Sequence, residues 1–418
     1  MFQVASDATK LSKKNIPIIT IKTQVSESTE RGSINFTELT DIKYDNDDFI
    51  FPKIDDIAVM PYSSGTTGLP KGVELTHRNL VSNITQISNF NLHIPTTETY
   101  QEAIPAVLPM FHIYGHTNLT LYPLHFGMKI VTLPKFTPEL FTSVLEEHNP
   151  GLLFIVPPIV NFMNTTNMIK KECYKSLRSV FCGAAPLGPL DEAKFVEKAG
   201  KDVNMLQGYG LTETSPVVST LSIERKKEFN VMGSVGDPVP NTLVKIVSPD
   251  DPTGKLLKPK EKGELLVKGP QVMKGYHNKP EETANMVDDG WLRTGDLAYY
   301  DENNFIFVTD RMKELIKVKG FQVAPAELEE LIRDHPQVED AAVIGIPHEN
   351  YGEVPRAYVI PKKGAKIDAE KLNEYLTPKV TSYKLLRGGV SVVDSIPKNA
   401  AGKILRRNLK KLYEELKI

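Results

Sequence analysis

The sequence predicts an α/β protein: a large N-terminal domain of layered strands and helices with a β-rich subdomain, and a small mobile α+β domain at the C-terminus. Three observations support this prediction. Short apolar runs alternate with helical segments between residues 57 and 219, glycine- and proline-separated strands follow Gly233, and a mixed pattern begins near Asp310. At roughly 100–200 residues per domain, a chain of 418 residues has room for two to three domains.

The first region is expected to form βα units and a mainly parallel sheet. Thr76 is positioned to cap a helix from His77 to about Asn89, and Pro138 opens a helix that ends at His148. The longest apolar stretch, residues 151–163, is shorter than the ~18–20 residues of a membrane-spanning helix and contains a Pro-Pro pair, so we expect a buried strand that runs into a loop. The predicted strands cover residues 57–60, 106–108, 130–133, 152–156 and 180–182.

The second and third regions complete the predicted architecture. The large domain spans residues 1–311 and includes the β-rich subdomain at about 233–310, with strands near 244–247, 263–267, 297–300 and 305–308. The small domain spans residues 312–418, with strands at 321–323, 341–346, 356–360 and 390–393. In this domain Pro325 takes the first position of one helix and Asp368 caps another.

Composition excludes several classes of protein. A hydrophobic fraction of 40% with 24% charged residues is typical of a globular chain and excludes a disordered or fibrous one. The net charge of −2 gives no reason to expect nucleic acid or an anionic membrane as the main partner, and no obligate protein partner is evident. The chain has only Cys173 and Cys182, so a disulfide framework is excluded and a reducing compartment is favoured. We expect a cytoplasmic location; the alternative is peroxisomal, from the weak match of the final Leu-Lys-Ile to a targeting tail.

One loop has the residues needed to hold phosphate groups. Residues 62–72 read Tyr-Ser-Ser-Gly-Thr-Thr-Gly-Leu-Pro-Lys-Gly. Its glycines allow the backbone to approach a ligand closely, and its hydroxyls and lysine are donors for phosphate oxygens. A Walker A loop would need Gly at 70 and Ser or Thr at 72, where this chain has Pro70 and Gly72. The predicted phosphate-binding residues are Ser63, Ser64, Gly65, Thr66, Thr67, Gly68 and Lys71.

This loop resembles the one in the adenylate-forming (AMP-binding) superfamily, which includes acyl-CoA synthetases, 4-coumarate–CoA ligases, luciferases and peptide-synthetase adenylation domains. Further segments occur in the family's order: Gln-Gly-Tyr-Gly-Leu-Thr-Glu at 207–213, Gly-Trp-Leu-Arg-Thr-Gly-Asp at 290–296, a segment at 310–322, and Pro-Lys-Asn-Ala-Ala-Gly-Lys at 397–403. The resemblance is strongest to the 4-coumarate–CoA ligase and luciferase branch. It implies an enzyme that uses ATP, Mg²⁺ and coenzyme A to convert a carboxylic acid, aryl-propenoic or fatty, into acyl-AMP with release of pyrophosphate and then into an acyl-CoA thioester.

The resemblance also implies roles for individual residues in the first half-reaction. Lys403 would bridge the carboxylate and the α-phosphate, Thr212 would donate to the α-phosphate, and Glu213 would hold Mg²⁺. Asp296 and Arg311 would bind the ribose. Each residue also has an alternative without a catalytic role. Lys403 would then be a solvated surface lysine, Thr212 and Glu213 a helix-capping pair, and Asp296 a turn residue. The remaining implied nucleotide contacts are Gln207, Gly208, Tyr209, Lys313 and Lys317.

Two further sets follow from the same resemblance. His112 would be a wall and gate of the acyl pocket and not a general base, and the other pocket residues would be Tyr114, Asn118, Ala184, Gly208, Gly210, Pro216 and Val217. Lys135, Lys319 and Gly320 would contact CoA, while Lys317 and Gln322 would act in a second arrangement of the small domain. Lys313 would be the hinge between the two arrangements.

The chain departs from the family at its start. The segment before the phosphate loop is shorter than in the family, and residues 1–7 resemble an internal strand and turn, so we expect an N-terminally incomplete large domain with exposed strand edges and apolar faces. Two alternative functions remain open: a luciferase-like adenylating monooxygenase and a truncated, non-catalytic binding homologue. An adenylation domain serving a carrier protein is disfavoured, because no carrier or condensation module follows Ile418. A dinucleotide-dependent dehydrogenase is excluded, because residues 208–213 lack the third glycine of the fingerprint.

Overall fold

The fold was analysed in a computed structural model that describes residues 2–12, 16–21, 29–41, 51–63, 70–90, 92–200, 202–229, 231–249, 251, 254–399 and 402–416. The chain divides into two compact units, Met1–Lys53 and Ile54–Ile418. The phosphate-loop residues Ser64, Gly65, Thr66, Thr67 and Gly68 lie outside the described residues, as do the last two residues of the chain.

The first unit contains helix α1 (Phe2–Ser12), strands β1 (Ile19–Thr20) and β2 (Ile34–Asn35), which pair in parallel, and helix α2 (Phe36–Thr40). The prediction of a strand and turn over residues 1–7 was wrong. Side chains spaced three and four residues apart support the helix instead: Gln3 Nε2 donates to Asp7 at 3.0 Å, and Lys10 pairs with Asp7 at 3.5 Å.

The second unit contains the remaining elements. Its strands are β3 (Ile57–Val59), β4 (Tyr62–Ser63), β5 (Lys71–Thr76), β6 (Ala103–Ala106), β7 (Lys129–Thr132), β8 (Leu152–Ile155), β9 (Ser179–Cys182), β10 (Asn204–Gly210), β11 (Val217–Thr220), β12 (Asp237–Pro238), β13 (Leu243–Val247), β14 (Gly263–Lys268), β15 (Gly275–Tyr276), β16 (Val287–Asp288), β17 (Trp291–Tyr300), β18 (Ile306–Arg311), β19 (Ile316–Val318), β20 (Phe321–Val323), β21 (Val338–His348), β22 (Gly352–Pro361) and β23 (Val390–Val392). Its α-helices are α3 (His77–Ser88), α4 (Ile113–His116), α5 (Tyr122–His125), α6 (Pro138–His148), α7 (Pro157–Thr165), α8 (Lys171–Ser176), α9 (Pro189–Ala199), α10 (Ile223–Phe229), α11 (Pro280–Met286), α12 (Pro325–Arg333), α13 (Ala369–Leu376) and α14 (Arg406–Leu416).

The central sheet has the strand order β12-β11-β10-β9-β8. Strands β8, β9 and β10 are parallel, but β11 and β12 are antiparallel, so the mainly parallel prediction holds only for part of this sheet. Only six residues separate β10 from β11, too few for the crossover that a parallel pair requires. Strands β8 and β9 are fully buried, and their side chains Phe154 and Phe181 belong to the largest hydrophobic core.

Two local predictions in this region need correction. The apolar stretch after β8 is helix α7, not a loop, because a proline pair at the first two helical positions removes only donors that a helix start leaves unpaired. The strand expected at 106–108 is β6, which ends at Ala106, since Val107 N already donates to Pro105 O in a turn. Thr76 and Pro138 begin their helices as predicted, and Thr76 forms a capping box with Asn79.

The β-rich region forms an antiparallel sheet of strand order β13-β14-β17-β16, and β18 also pairs with β17, on the edge away from β14. All four predicted strands are present in it. Strand β18 pairs Arg311 with Asp296 and Asp310 with Leu297, and then the register shifts so that Val308 faces Ala298. Thr309 is therefore the extra residue of a β-bulge.

The residues after Arg311 form a second sheet, β20-β19-β22-β21, with β23 on β22. Pro325 begins α12, and the Asp368 carboxylate accepts from the first backbone amides of α13, as predicted. Lys319 and Gly320 form the two-residue turn between β19 and β20, both with positive φ (47° and 84°). No helix among the described residues is long and apolar enough to cross a membrane.

Candidate active site

The second unit contains a cavity of about 680 Å³, which lies within the range of small-molecule sites, about 300–1,000 Å³. Its lining joins the end of β10, the start of β5, the bulged strand β18 and the turn that ends at Lys403. Predicted site residues lining it are Ser63, Lys71, His112, Tyr114, Ala184, Gly208, Tyr209, Gly210, Thr212, Glu213, Pro216, Val217, Arg311, Lys313 and Lys403. A neighbouring cavity of about 710 Å³ shares several of them and adds Gln207 and Asp296.

Asp296 is the most constrained carboxylate of the site. It is 4% exposed, accepts a hydrogen bond from Tyr209 Oη at 2.6 Å, and lies 3.2 Å from Arg311 Nε, its partner across the strand pair. Burial raises the pKa of Asp296, and the Arg311 guanidinium opposes that rise. A carboxylate accepts at up to about four lone-pair positions, so Asp296 keeps capacity for ribose hydroxyls.

Glu213 lies in a single 3₁₀ turn, Thr212–Thr214, between β10 and β11. Its Oε1 accepts from Tyr276 Oη at 2.8 Å, and burial together with Glu213 raises the pKa of that tyrosine well above its usual range. The bond leaves further acceptor capacity on Glu213 that suits a hard cation. No group of three or more His, Cys, Asp or Glu that could hold a metal ion is present among the described residues.

The expected acyl-pocket residues form one wall of the cavity. Tyr114 Oη donates to the carbonyls of Ile155 and Phe181 at 3.2 and 3.1 Å, which ties the wall to β8 and β9. A Cβ on Gly208 would lie 2.1 Å from Phe181, and one on Gly210 would lie 2.0 Å from Pro216 O. Packing within the wall therefore requires glycine at both positions, because a Cβ at either one would clash with its neighbours.

His112 and Asn118 belong to the same segment but differ in their surroundings. His112 caps α4 by accepting from Tyr114 N at 3.2 Å, and burial lowers its pKa, which suits a neutral wall residue. Asn118 lies in a π-helical turn, Thr117–Leu121, is fully buried, and does not line the cavity. Within the described part of the chain, neither of its amide atoms has a hydrogen-bond partner.

Lys403 enters the cavity from the C-terminal part of the chain. It follows Gly402, whose φ is +78°, and its backbone N donates to Asn399 Oδ1 at 2.9 Å. Burial, with Arg311 nearby, lowers the pKa of Lys403. Three residues later Arg406 donates to Glu314 at 2.6 Å and to both oxygens of Glu329, so the lysine turn is tied to the strand exit after Arg311.

Family models match almost the whole chain. Residues 3–277 match the AMP-binding enzyme family, and residues 327–403 match the AMP-binding enzyme C-terminal domain. This chain belongs to the AMP-binding enzyme family.

Several curated relatives of this AMP-binding enzyme are 4-coumarate–CoA ligases. It is 41% identical over 393 residues to a probable 4-coumarate–CoA ligase 1 of Dictyostelium discoideum, covering 93% of this chain and 69% of the relative. It is 40% identical over 405 residues to 4-coumarate–CoA ligase 3 of Oryza sativa subsp. japonica, covering 96% and 70%.

Solved structures of other enzymes are similar to this chain over most of its length. ATP-bound MatB from Rhodopseudomonas palustris matches with a TM-score of 0.79 and 31% identity over 88% of this chain and 70% of that one. o-Succinylbenzoate CoA synthetase from Bacillus subtilis, in complex with its acyl-adenylate intermediate, matches with a TM-score of 0.76 and 32% identity over 90% and 74%. These findings confirm the predicted fold class, and with the curated relatives they make the protein an ATP-dependent acid–CoA ligase; a monooxygenase or a non-catalytic homologue is not favoured.

Some predicted site residues of the AMP-binding enzyme lie away from both cavities. Lys135, Lys317, Lys319, Gly320 and Gln322 are exposed. Lys319 Nζ lies 4.4 Å from the ring centroid of Tyr351, outside the cavity. Among the described residues, the cavities thus gather most of those expected for nucleotide and acid, with Lys317 and Asn118 as exceptions, but not those expected for CoA.

Gln207 has a clear structural role. Its Nε2 donates to Leu187 O at 3.0 Å and to Glu192 Oε2 at 2.8 Å, which joins β10 to α9. The side chain is 4% exposed and reaches only the second cavity.

Sequence reasoning missed cavity residues that come from β15 and α11. Tyr276, Lys279 and Glu282 line the cavity because β15 pairs with β5, about two hundred positions earlier in the chain. Lys71 forms an ion pair with Glu282 and lies over the ring of Tyr276, 4.7 Å from its centroid. Only the short apolar β15 between two recognised segments could have indicated this pairing, and two residues are too few to predict a partner strand.

Proposed function

We propose that this ligase activates an aryl-propenoic acid carrying a polar ring substituent, forming its acyl-AMP and then its CoA thioester. The observation that carries the proposal is the convergence of one cation, Lys403, with two carboxylates, Asp296 and Glu213, around adjoining cavities. The printed names of the relatives, 4-coumarate–CoA ligases, support the acid class.

The first half-reaction is assigned to these residues. Asp296 and Arg311 hold the ribose, and Lys71 with the loop before it holds the outer phosphates. Glu213 binds Mg²⁺, which neutralises phosphate charge when bound. Thr212 donates to the α-phosphate, and the ammonium of Lys403 brings the acid carboxylate and the α-phosphate together, stabilising negative charge in the transition state.

The second half-reaction is assigned to another arrangement of residues 312–418, with Lys313 as hinge. Lys313 is exposed in a short 3₁₀ turn, Met312–Glu314, a position that can absorb a change of backbone angles. In that arrangement the exposed residues of β19, β20 and their turn approach the thiol, and lysines contact the CoA phosphates. The assigned residues are Lys135, Lys317, Lys319, Gly320 and Gln322.

The surroundings of Asn118 support the proposal that the ring of the acid carries a polar substituent. A buried amide left without a partner costs about 1–3 kcal/mol, so a ligand that supplies a donor or acceptor there is favoured. Asn118 lies in the π-helical turn directly after α4, and α4 carries the cavity-lining residues Ile113 and Tyr114. The two free, buried cysteines support a reducing, cytoplasmic location, with a peroxisomal one as the alternative.

A panel of acids tests the proposal. Acid-dependent pyrophosphate release and acyl-CoA formation are measured with 4-coumarate, unsubstituted cinnamate, and medium- and long-chain fatty acids. We expect the highest kcat/KM for 4-coumarate, and Asn118→Leu should narrow its advantage over cinnamate by about tenfold. A higher kcat/KM for fatty acids, or the same acid preference in Asn118→Leu, would contradict the assignment of the acid.

A further inference from the structure

A compact group of charged side chains lies at the mouth of the cavity, where β5 and β15 pair. The carboxylate of Glu282 is held by two lysines, one on each oxygen: Lys279 Nζ lies 2.5 Å from Oε1, and Lys71 Nζ pairs with Oε2. All three side chains are partly exposed, between 26% and 45%. They can therefore exchange partners with a ligand that enters the cavity.

Backbone pairing fixes the positions of both lysines. Tyr276 faces Val73 in the ladder, so Lys71, two residues before Val73, is a diagonal neighbour on the same face. Lys279 N donates to Tyr276 O at 3.1 Å, which closes the turn into α11. Thr283 Oγ1 donates to Lys279 O at 2.9 Å and accepts from Tyr276 N at 2.9 Å. The two ammonium groups thus stand on one rigid frame.

Each of the two lysine ammonium groups contacts one oxygen of the Glu282 carboxylate. Two oxygens of a phosphate group could accept hydrogen bonds from the same two ammonium groups. The pair of lysines holds the pKa of Glu282 below its ordinary value, so this group is an anion at neutral pH. The same frame carries Tyr276, whose hydroxyl donates to Glu213. The lysine pair therefore lies next to the carboxylate assigned to the metal.

We propose that Lys279 joins Lys71, already assigned to the outer phosphates, in holding the pyrophosphate end of ATP, and that Glu282 occupies this lysine pair as a competing anion whenever pyrophosphate is absent. This inference rests on the proposed function, in which pyrophosphate is the leaving group. Entry of ATP displaces the Glu282 carboxylate from both lysines. After adenylation the carboxylate returns and speeds the departure of pyrophosphate.

The proposal makes opposite predictions for neighbouring residues. Glu282→Gln keeps the shape of the side chain but removes the competing charge, so Mg²⁺–pyrophosphate should bind about three- to tenfold more tightly. Lys279→Gln removes one of the two cations, so pyrophosphate should bind more weakly by a similar factor. Product inhibition by pyrophosphate should change in the same directions.

Glu281 offers a matched control. It lies beside Glu282 on α11, is exposed, and does not line the cavity. Glu281→Gln removes the same charge at nearly the same place, and it should change the Kd of pyrophosphate by less than about twofold.

The experiment is isothermal titration calorimetry of the full chain with pyrophosphate at fixed Mg²⁺, with thermal melts and Glu282→Ala as a second variant. Tighter binding in both Glu282 variants and not in Glu281→Gln supports the proposal. If Glu281→Gln binds pyrophosphate more tightly by the same factor, the effect is one of general charge. If Glu282→Gln binds pyrophosphate more weakly, Glu282 is itself a ligand. Either result overturns the proposal. Acid-dependent ATP–pyrophosphate exchange by the wild-type enzyme tests the proposed function separately, because the calorimetry needs no acid.

Discussion

The two sides of the cavity are built by different physical means. On one side, β10 and β11 bring Gly208 and Gly210 against Phe181 and the backbone of Pro216, with no room for a methyl group. On the other side, Lys403 depends on polar contacts, since Arg406 joins its turn to Glu314 and Glu329. Close packing fixes the first side to a fraction of an ångström, whereas charge-assisted hydrogen bonds among residues that all follow Arg311 fix the second.

The contacts of α12 with the large domain repeat this contrast. Arg333 pairs with Asp191 at 3.3 Å, and Lys194 on α9 pairs with Asp334 at 2.9 Å. Glu330 Oε1 accepts from Leu190 N at 3.0 Å. The Lys194–Asp334 pair is partly exposed, and a pair of this kind contributes about 0–1 kcal/mol, whereas the Arg333–Asp191 pair is largely buried. We expect the exposed contacts to exchange at a smaller energetic cost than opening the packed wall.

The largest expected effect is at Lys403, the cation on the polar side of the cavity. Lys403→Ala should lower acid-dependent ATP–pyrophosphate exchange by about 10²–10³-fold, because it removes one preorganised charge from the transition state. Thioester formation from supplied acyl-AMP should fall far less. The exposed Lys410 on the same segment provides the control, since Lys410→Ala should leave both rates unchanged. Equal loss in both half-reactions would mean that Lys403 serves both arrangements.

The packed wall should respond through stability. Gly210→Ala forces a Cβ to within 2.0 Å of Pro216 O, so we expect a loss of about 1–3 kcal/mol in the free energy of unfolding, with both half-reactions falling together. A Cβ on Gly183 meets its neighbours at an ordinary 3.4 Å or more, so Gly183→Ala should change this free energy by less than about 0.5 kcal/mol. Urea unfolding measures both, and similar values for the two variants would contradict a rigid wall.

The polar side should also be the pH-sensitive one. Asp310 accepts from the backbone amides of Arg311 and Ala326, and burial raises its pKa to about 6 although Arg406 opposes the rise. Because the folded state then holds this proton at pH values where the unfolded chain has lost it, stability falls as pH rises from about 4 to 6. Relative to Asp310→Asn, the wild-type protein should lose on the order of 2–3 kcal/mol across that window.

Urea unfolding at several pH values between 4 and 7.5 measures that difference. Parallel curves for the wild-type protein and Asp310→Asn would show that Asp310 does not titrate in this window.

The smallest expected effect is at the ion pairs of α12. Lys194→Ala should lower the adenylation rate by about two- to threefold, since one weak contact of this arrangement is lost, and should leave the thioesterification rate unchanged or slightly higher. Lys175→Ala on α8 removes another exposed lysine and should affect neither step. Separate rates for the two half-reactions decide the outcome; a parallel fall in both would assign Lys194 to stability.

The sequence predicted best where the determining signal is local. Thr76, Pro325 and Asp368 begin their helices as expected, since a cap or an N1 proline acts within one turn. Residues from each of the recognised segments line the cavities, although Lys317, Lys319, Gly320 and Gln322 of the segment at 310–322 do not.

Prediction from the sequence failed where the interacting residues are distant from each other in the chain. The pairing of Lys71 with Glu282 depends on the β5–β15 ladder, and the antiparallel direction of β11 depends on the brevity of its connection to β10. The hydrogen-bond partners of buried side chains could not be predicted either. Nothing in the sequence indicated that Tyr114 donates to two backbone carbonyls, whereas the amide of Asn118, four residues later, has no partner in the described structure.

The bulge at Thr309 decides which charge meets Asp296. Side chains alternate between the two faces of a strand, and the single extra residue lets Arg311 face Asp296 while Asp310 faces Leu297. If Thr309 instead took a place in the ladder opposite Leu297, Asp310 would stand opposite Asp296, and a carboxylate would repel it where a guanidinium now attracts it. One residue held out of the ladder thus sets the sign of the electrostatic potential beside Asp296.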